Sequence, residues 1–133
     1  MSQPFIENNH LPELTVRALS LMREHFAELY GVEELAQQLG VTKSHLVRSF
    51  SDAVGITPGC YLTKVRIAAA KSLLLYRDYP LESVAGLCGF SSANYLCRVF
   101  KKETGMPPGA WRQRYADVPP ATPSQDWEGQ FYV

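Results

Sequence analysis

Apolar residues recur with helical spacing along most of the chain. Between residues 12 and 29 they fall near positions i, i+3, i+4 and i+7, the period of a helix with one buried face. This pattern predicts a first helix that ends at Gly31. Residues 57–76 differ, because apolar side chains there cover most of the helical circumference. Such a helix is buried from more than one side, so we expect a central helix with a packed body on either side of it.

Two signals mark the start of this central helix. Thr57 suits the N-cap, where its hydroxyl accepts a backbone N–H, and Pro58 suits the first helical position, where a missing N–H costs nothing. The stretch is too short and too often interrupted by Lys and Arg to be a membrane span. We therefore expect it to lie inside a helical domain.

Residues 32–55 predict two short helices joined by a tight turn. Leu35 and Leu39 lie on the inner face of the first helix, which Gly40 ends. Thr42 can cap the second helix, whose inner positions recur every four residues at Leu46, Phe50 and Val54. Two short helices joined by a glycine-containing turn form a helix-turn-helix.

The same design returns about 50 residues later along the chain. An offset of 49 relates Gly40 to Gly89, and an offset of 50 relates Arg48 to Arg98, so the second turn holds one more residue. Further pairs at the offset of 50 are Leu46 with Leu96, Phe50 with Phe100, Gly55 with Gly105, Pro58 with Pro108, and Tyr61 with Trp111. The repeat predicts an all-α fold in which two helix-turn-helix subdomains are joined by a long central helix.

The expected organisation has five parts. They are a loosely ordered lead-in (1–10), a first helix-turn-helix subdomain (11–56), a linker helix (57–76), a second helix-turn-helix subdomain (77–116) and a mobile tail (117–133). The tail is rich in Pro and acidic residues and has no helical period.

Charge is segregated along the chain, although the formal net charge is +0. Residues 43–115 carry eleven Lys and Arg against four acidic side chains, a net charge of +7. Residues 1–42 carry −4 and residues 116–133 carry −3. A basic body with acidic ends suits a polyanion partner on one surface, and a merely solvated charged face is the alternative interpretation.

The three cysteines suggest neither a disulfide framework nor a zinc site. Cys60, Cys88 and Cys97 are odd in number and form no close C-x-x-C pair. We expect at least two of them to be small core residues. The N-terminus has no basic start followed by an apolar run, so a cytoplasmic location is expected.

The second helix of each helix-turn-helix is expected to enter the major groove. Arg48 and Arg98 are the leading candidates for base reading, because a guanidinium bonds bidentately to O6 and N7 of guanine. Asn94 can pair with adenine in the same way. The alternative for each arginine is an exposed side chain or an intramolecular ion pair, and their recurrence in both units favours base reading. The predicted base-reading residues are Lys43, Ser44, Val47, Arg48, Ala93, Asn94, Cys97 and Arg98.

Phosphate contacts are expected beside these side chains, where helix N-termini also offer backbone N–H donors. The predicted set is Thr42, Ser51, Ser91, Ser92, Lys101 and Lys102.

These motifs resemble the DNA-binding domain of the AraC/XylS family of bacterial transcription regulators. In the first half the resemblance rests on Leu35-Ala36, the L-x-R-x-F of Leu46 to Phe50, Gly55, Thr57-Pro58 and Tyr61. In the second half it rests on Arg66-Ile67, Ala70, Leu73-Leu74, Val84-Ala85, Gly89-Phe90-Ser91, Arg98-Val99-Phe100-Lys101-Lys102, Gly105, Pro108 and Trp111-Arg112. It covers about residues 12–115.

The resemblance implies seven helices and a homeodomain-like domain that reads two neighbouring major-groove segments. It also implies control of transcription, most often activation through contact with RNA polymerase. The family commonly attaches this domain to an effector-sensing domain, and the segments at either end of residues 12–115 are too short to hold one. We expect a fragment of a larger regulator rather than a stand-alone one.

An enzyme is not expected, because paired acid and base candidates, nucleophile–histidine spacing and metal-ligand clusters are all absent from the sequence. No cofactor is expected. The alternative to double-stranded DNA binding is a helical protein-interaction module whose basic face serves an acidic partner. Salt dependence and sequence preference discriminate between the two functions.

The central helix also has a predicted mechanical role. From Pro58 to Tyr76 it extends about 28 Å, at about 1.5 Å per residue. Successive major-groove faces on one side of DNA lie about 34 Å apart. We expect the helix to act as a ruler that holds the two reading helices near one helical turn apart.

Overall fold

The computed structural model describes residues 11–29 and 31–115, which form seven α-helices and no strand. In chain order the helices are α1 (Glu13–His25), α2 (Val32–Leu39), α3 (Lys43–Val54), α4 (Pro58–Tyr76), α5 (Leu81–Cys88), α6 (Ala93–Thr104) and α7 (Pro108–Tyr115). The predicted all-α fold is confirmed, with helix-turn-helix units α2–α3 and α5–α6 on either side of α4. The expected lead-in and mobile tail lie outside the described residues.

Side-chain hydroxyls start three of these helices. Thr42, Thr57 and Ser92 each accept the backbone N–H of the residue three positions later, at 3.1, 3.2 and 3.0 Å respectively. Each bond satisfies an N–H group that has no partner within its helix. Thr42 and Ser92 occupy equivalent places in the two units, so the sequence repeat is also a repeat of local structure.

The central helix α4 supplies side chains to two separate cores. Tyr61, Leu62 and Val65 join the first core with α1, α2 and α3. Ile67, Ala70 and Leu74 join the second core with α5, α6 and α7. The first set lies in the N-terminal half of α4 and the second in its C-terminal half, on roughly opposite sides of the helix. No described helix is long and apolar enough to cross a membrane.

An edge-to-face aromatic pair lies at the same place in each core. The rings of Phe50 and Tyr61 have centroids 5.8 Å apart at 62°, and those of Phe100 and Trp111 have centroids 5.5 Å apart at 76°. Such pairs contribute about 0.5–1.5 kcal/mol beyond the area they bury. They attach the second helix of each unit to the helix that follows it.

The first helix ends earlier than its apolar pattern predicts. α1 stops at His25, and a turn over residues 26–28 follows, in which the N–H groups of Glu28 and Leu29 both bond the His25 carbonyl. Leu29 is nevertheless buried. The apolar spacing continues past the end of the helix because the turn returns Leu29 to the same core.

Two half-buried arginines bind backbone carbonyls near the ends of helices. Arg66 of α4 donates to the carbonyls of Phe26, at 2.9 Å, and Leu29, just after α1. Arg112 of α7 donates to the carbonyls of Leu74, in the last turn of α4, and Tyr79, just after α4, both at 3.0 Å. Both arginines therefore satisfy carbonyl groups near helix C-termini. Part of the positive charge counted in residues 43–115 thus serves the fold and not a DNA surface.

Candidate nucleic-acid interface

The second helix of the first unit, α3, is the predicted reading helix, and two fully buried residues fix its inner face. Leu46 and Phe50 are both 0% exposed, so the opposite face of α3 points to solvent. On this opposite face Lys43, Ser44 and Arg48 are exposed, and Val47 is half-buried. The first set of predicted base-reading residues thus lies on one outward face beside the Thr42 cap.

The second reading helix, α6, presents the matching face. Leu96 and Phe100 are buried beneath it, Asn94 and Arg98 are exposed, and Ala93 and Cys97 are half-buried. Arg98 and Arg48 therefore occupy equivalent exposed positions. The outward face of α6 is less polar than that of α3 at one position, where Ala93 stands in place of Lys43.

Arg98 has an aromatic neighbour that sequence reasoning missed. Its Cζ lies 5.5 Å from the ring centroid of Tyr95, within the range of a cation–π contact. Tyr95 in turn meets the buried Phe90 edge to face, with centroids 5.9 Å apart. An aromatic residue three positions before an arginine in one helix is the signal that could have revealed this contact. The equivalent residue in the first unit is His45.

The predicted phosphate contacts lie at the edges of these two faces, with one exception. Exposed side chains are found at Thr42, Ser91, Ser92, Lys101 and Lys102. The oxygens of Thr42 and Ser92 accept a capping N–H, and each hydroxyl keeps its own proton to donate.

Ser51 is a correction to the predicted set. Its Oγ is buried and has no hydrogen-bond partner within residues 11–29 and 31–115. Ser51 directly follows Phe50 and turns its hydroxyl toward the packed side of α3, away from solvent. We therefore remove Ser51 from the proposed phosphate contacts.

The cysteines are distributed differently from the expectation. Cys88 is buried, Cys97 is half-buried and Cys60 is exposed, so only one of the three is a core residue. Burial raises the pKa of the Cys88 thiol to about 12, and the positive charge of Arg66 opposes this rise. No group of His, Cys, Asp or Glu in the described part of the chain could hold a metal ion.

Two equivalent units, each with a capped second helix and an exposed arginine on its outer face, define a class of protein. The chain is a helix-turn-helix DNA-binding domain. The sequence pattern of the family described as "Helix-turn-helix domain" matches residues 35–114. The chain belongs to the AraC-type branch of this family, as its resemblance to the AraC/XylS regulators predicts.

Curated relatives support the same assignment. The transcriptional activator RhaR of Klebsiella pneumoniae is 33% identical over 98 residues, which are 74% of this chain and 35% of the relative. The transcriptional activator RhaS of Salmonella schwarzengrund is 32% identical over 95 residues, 71% of this chain and 34% of the relative. The chain thus spans about a third of the length of the curated relatives it matches.

Solved structures share the fold over most of the described residues. The DNA-binding domain of AdpA, a global transcriptional factor solved with a target DNA, has a TM-score of 0.76 at 30% identity and covers 84% of this chain and 100% of that domain. The C-terminal domain of AraT, a response regulator from Geobacillus stearothermophilus, has a TM-score of 0.76 at 27% identity. The match covers 85% of this chain and 96% of that domain.

Proposed function

We propose that the chain binds particular duplex DNA sites by placing α3 and α6 in neighbouring major-groove segments. One observation carries the proposal: Arg48 and Arg98 are exposed at equivalent places on two reading helices attached to one central helix. A guanidinium in the major groove can bond both O6 and N7 of a guanine, with about 1–3 kcal/mol of discrimination for each such pair.

The other side chains complete the proposed interface. Lys43, Ser44 and Asn94 offer polar groups to base edges, while Val47, Ala93 and Cys97 offer apolar contact, for instance to a thymine methyl group. Backbone phosphates are bound by the exposed hydroxyls and ammonium groups at the edges of the faces, namely Thr42, Ser91, Ser92, Lys101 and Lys102.

We also propose that this domain acts within a larger regulator of transcription. The curated relatives RhaR and RhaS are named transcriptional activators and are about three times as long as the matched segment. On this basis activation is the expected property. The resemblance to the AraC/XylS family adds two expectations, contact with RNA polymerase and an effector-sensing domain elsewhere in the full protein. The domain would work in the cytoplasm, where the chromosome of a bacterium lies.

Selection of bound duplexes from a random library tests the proposal. The expected result is an enriched site with two conserved segments about one helical turn apart. Affinity for this site should exceed that for bulk DNA and should fall steeply as salt rises, since phosphate contacts release counterions. A library that shows no enrichment would contradict DNA reading and would favour the protein-interaction alternative.

Arginine variants then test the residue assignments. Arg48→Ala and Arg98→Ala should each weaken binding to the selected site by about 1–3 kcal/mol and relax preference at one base pair. Arg17→Ala is the matched control, because Arg17 is an exposed arginine on α1 outside the proposed interface. Equal losses on selected and random DNA would mean that Arg48 and Arg98 bind phosphates instead.

A further inference from the structure

The two units touch at a point away from the axis of α4. Gly89, which ends α5, lies against the backbone that follows α1 in the other unit. A Cβ atom on Gly89 would be 2.8 Å from the carbonyl oxygen of Phe26, and 3.0 Å from both the Cα of Ala27 and the Nε of Arg66. Real Cβ atoms essentially never show a contact of 2.8 Å, and the two contacts at 3.0 Å are tighter than most, so the approach favours a residue without a side chain.

Arg66 fixes the other side of this contact. Its Nε donates to the Phe26 carbonyl at 2.9 Å, and its Nη2 donates to the Leu29 carbonyl. Burial lowers the pKa of this guanidinium, against the opposing effects of Tyr95 and Cys88. The Phe26 side chain packs against both cores. Phe26, Ala27, Arg66 and Gly89 together form what we call the Gly89 junction.

The first unit has no such contact at the equivalent turn. Gly40 and Gly89 both end the first helix of their unit with a left-handed backbone, at φ of 75° and 91°. A Cβ on Gly40 would have no described heavy atom within 4 Å. Glycine at position 40 therefore satisfies the turn alone, whereas glycine at position 89 satisfies the turn and the contact between units.

The Gly89 junction is a second connection between the two units, beside the one that α4 provides. One helix fixes the distance between two bodies along its axis, but bending and twisting of that helix still turn one body relative to the other. The Gly89 junction lies to one side of α4 and opposes such rotation. Gly89 is also only four residues before Ala93, where the reading helix α6 begins. A shift at Gly89 therefore displaces the start of α6.

We propose that the Gly89 junction sets the position of α6 relative to α3, and so the length of DNA between the two segments that the chain accepts. The inference rests on the proposed two-segment binding. In this proposal α4 sets the distance between α3 and α6, as the sequence predicts. The junction sets the angle at which α6 enters its major-groove segment.

Two glycine variants separate the junction from the strain of a left-handed turn. Gly89→Ala and Gly40→Ala both place a Cβ at positive φ, but only the first places it against Phe26 and Ala27. The relative orientation of the two units in the free chain is measured by residual dipolar couplings of backbone amides. Gly89→Ala should change this orientation or leave it averaged, and Gly40→Ala should keep that of the wild type.

Binding to spacer variants of the selected site measures the consequence. Adding or removing one base pair moves one segment by about 3.4 Å and turns it by about a tenth of a helical turn. The wild-type chain and Gly40→Ala should lose about tenfold in affinity on either change, because a base contact is lost. Gly89→Ala should either bind a different spacer length best or show affinities for the three spacer lengths that differ by less than about threefold.

A third variant covers the case in which Gly89→Ala does not fold. Arg66→Met keeps an apolar stem, removes the donors to Phe26 and Leu29, and leaves the Gly89 backbone unaltered. Like Gly89→Ala, Arg66→Met should either prefer a different spacer or lose the spacer preference. Unchanged dipolar couplings in the folded Gly89→Ala and Arg66→Met variants would overturn the claim that the junction sets the orientation of the two units. An unchanged dependence of affinity on spacer length would overturn its role in DNA binding. If the wild-type chain selects no site, the proposed function fails, while the couplings still decide the junction.

Discussion

The contact between Tyr95 and Arg98 leads to a prediction about how finely the second unit reads DNA. The ring of Tyr95 lies against the Arg98 guanidinium, at 5.5 Å from Cζ to ring centroid, and Phe90 supports the ring from the core side. A ring occupies the face of a guanidinium, whereas the N–H groups of that guanidinium point outward in its plane. Arg98 can therefore bond a base edge while it stays on the ring, with less rotamer freedom to lose.

The expected size follows from the exposure of the pair. Tyr95 is 43% exposed, so the cation–π contact belongs to the weaker range of about 0.5–1 kcal/mol. Removal of the ring should reduce discrimination at the base pair that Arg98 is proposed to read by about twofold to fivefold. Tyr95→Leu removes the ring, Tyr95→Phe keeps it, and His45→Leu makes the equivalent change in the first unit.

The assay is a set of equilibrium titrations against the selected duplex and a duplex altered only at that base pair. Discrimination is the dissociation constant for the altered duplex divided by that for the selected duplex. This ratio should fall in Tyr95→Leu and stay near the wild-type value in Tyr95→Phe and His45→Leu. The reasoning would be refuted if Tyr95→Leu kept the full ratio, or if Tyr95→Phe lost as much as Tyr95→Leu.

Two further predictions concern the caps and the thiols. Thr42→Ala and Ser92→Ala should each lower the free energy of unfolding by about 1 kcal/mol in denaturant titrations, because each removes a capping acceptor. Ser91→Ala is the control and should have little effect, because Ser91 is an exposed serine beside the cap. At pH 8 the buried Cys88, with its pKa raised to about 12, should resist alkylation in the native chain and react only on unfolding, as measured by mass spectrometry. The exposed Cys60 should react readily. Addition of the selected DNA should slow the labelling of Cys97. Rapid native alkylation of Cys88 would contradict its burial, and unaltered labelling of Cys97 would contradict its place at the interface.

The sequence by itself determined the helices and their repetition. Apolar spacing, hydroxyl caps and terminal glycines are local signals, and each acts within a few residues of the feature it specifies. The buried pairs Leu46–Phe50 and Leu96–Phe100 fixed the inner faces of α3 and α6. The outward positions of Arg48 and Arg98 follow from the helical period once those faces are known.

Tertiary structure decided which polar and small residues serve the fold and which serve the surface. Arg66 and Arg112 bind carbonyls about 40 residues away in the chain, so their sequence surroundings cannot separate them from the exposed arginines. The early end of α1, the buried hydroxyl of Ser51 and the exposure of Cys60 likewise depend on which helices pack together. Gly89 has the same turn chemistry as Gly40, and only the approach of the other unit gives it a second role. Helical period is a local property, whereas contact between distant segments depends on the packing of the whole domain.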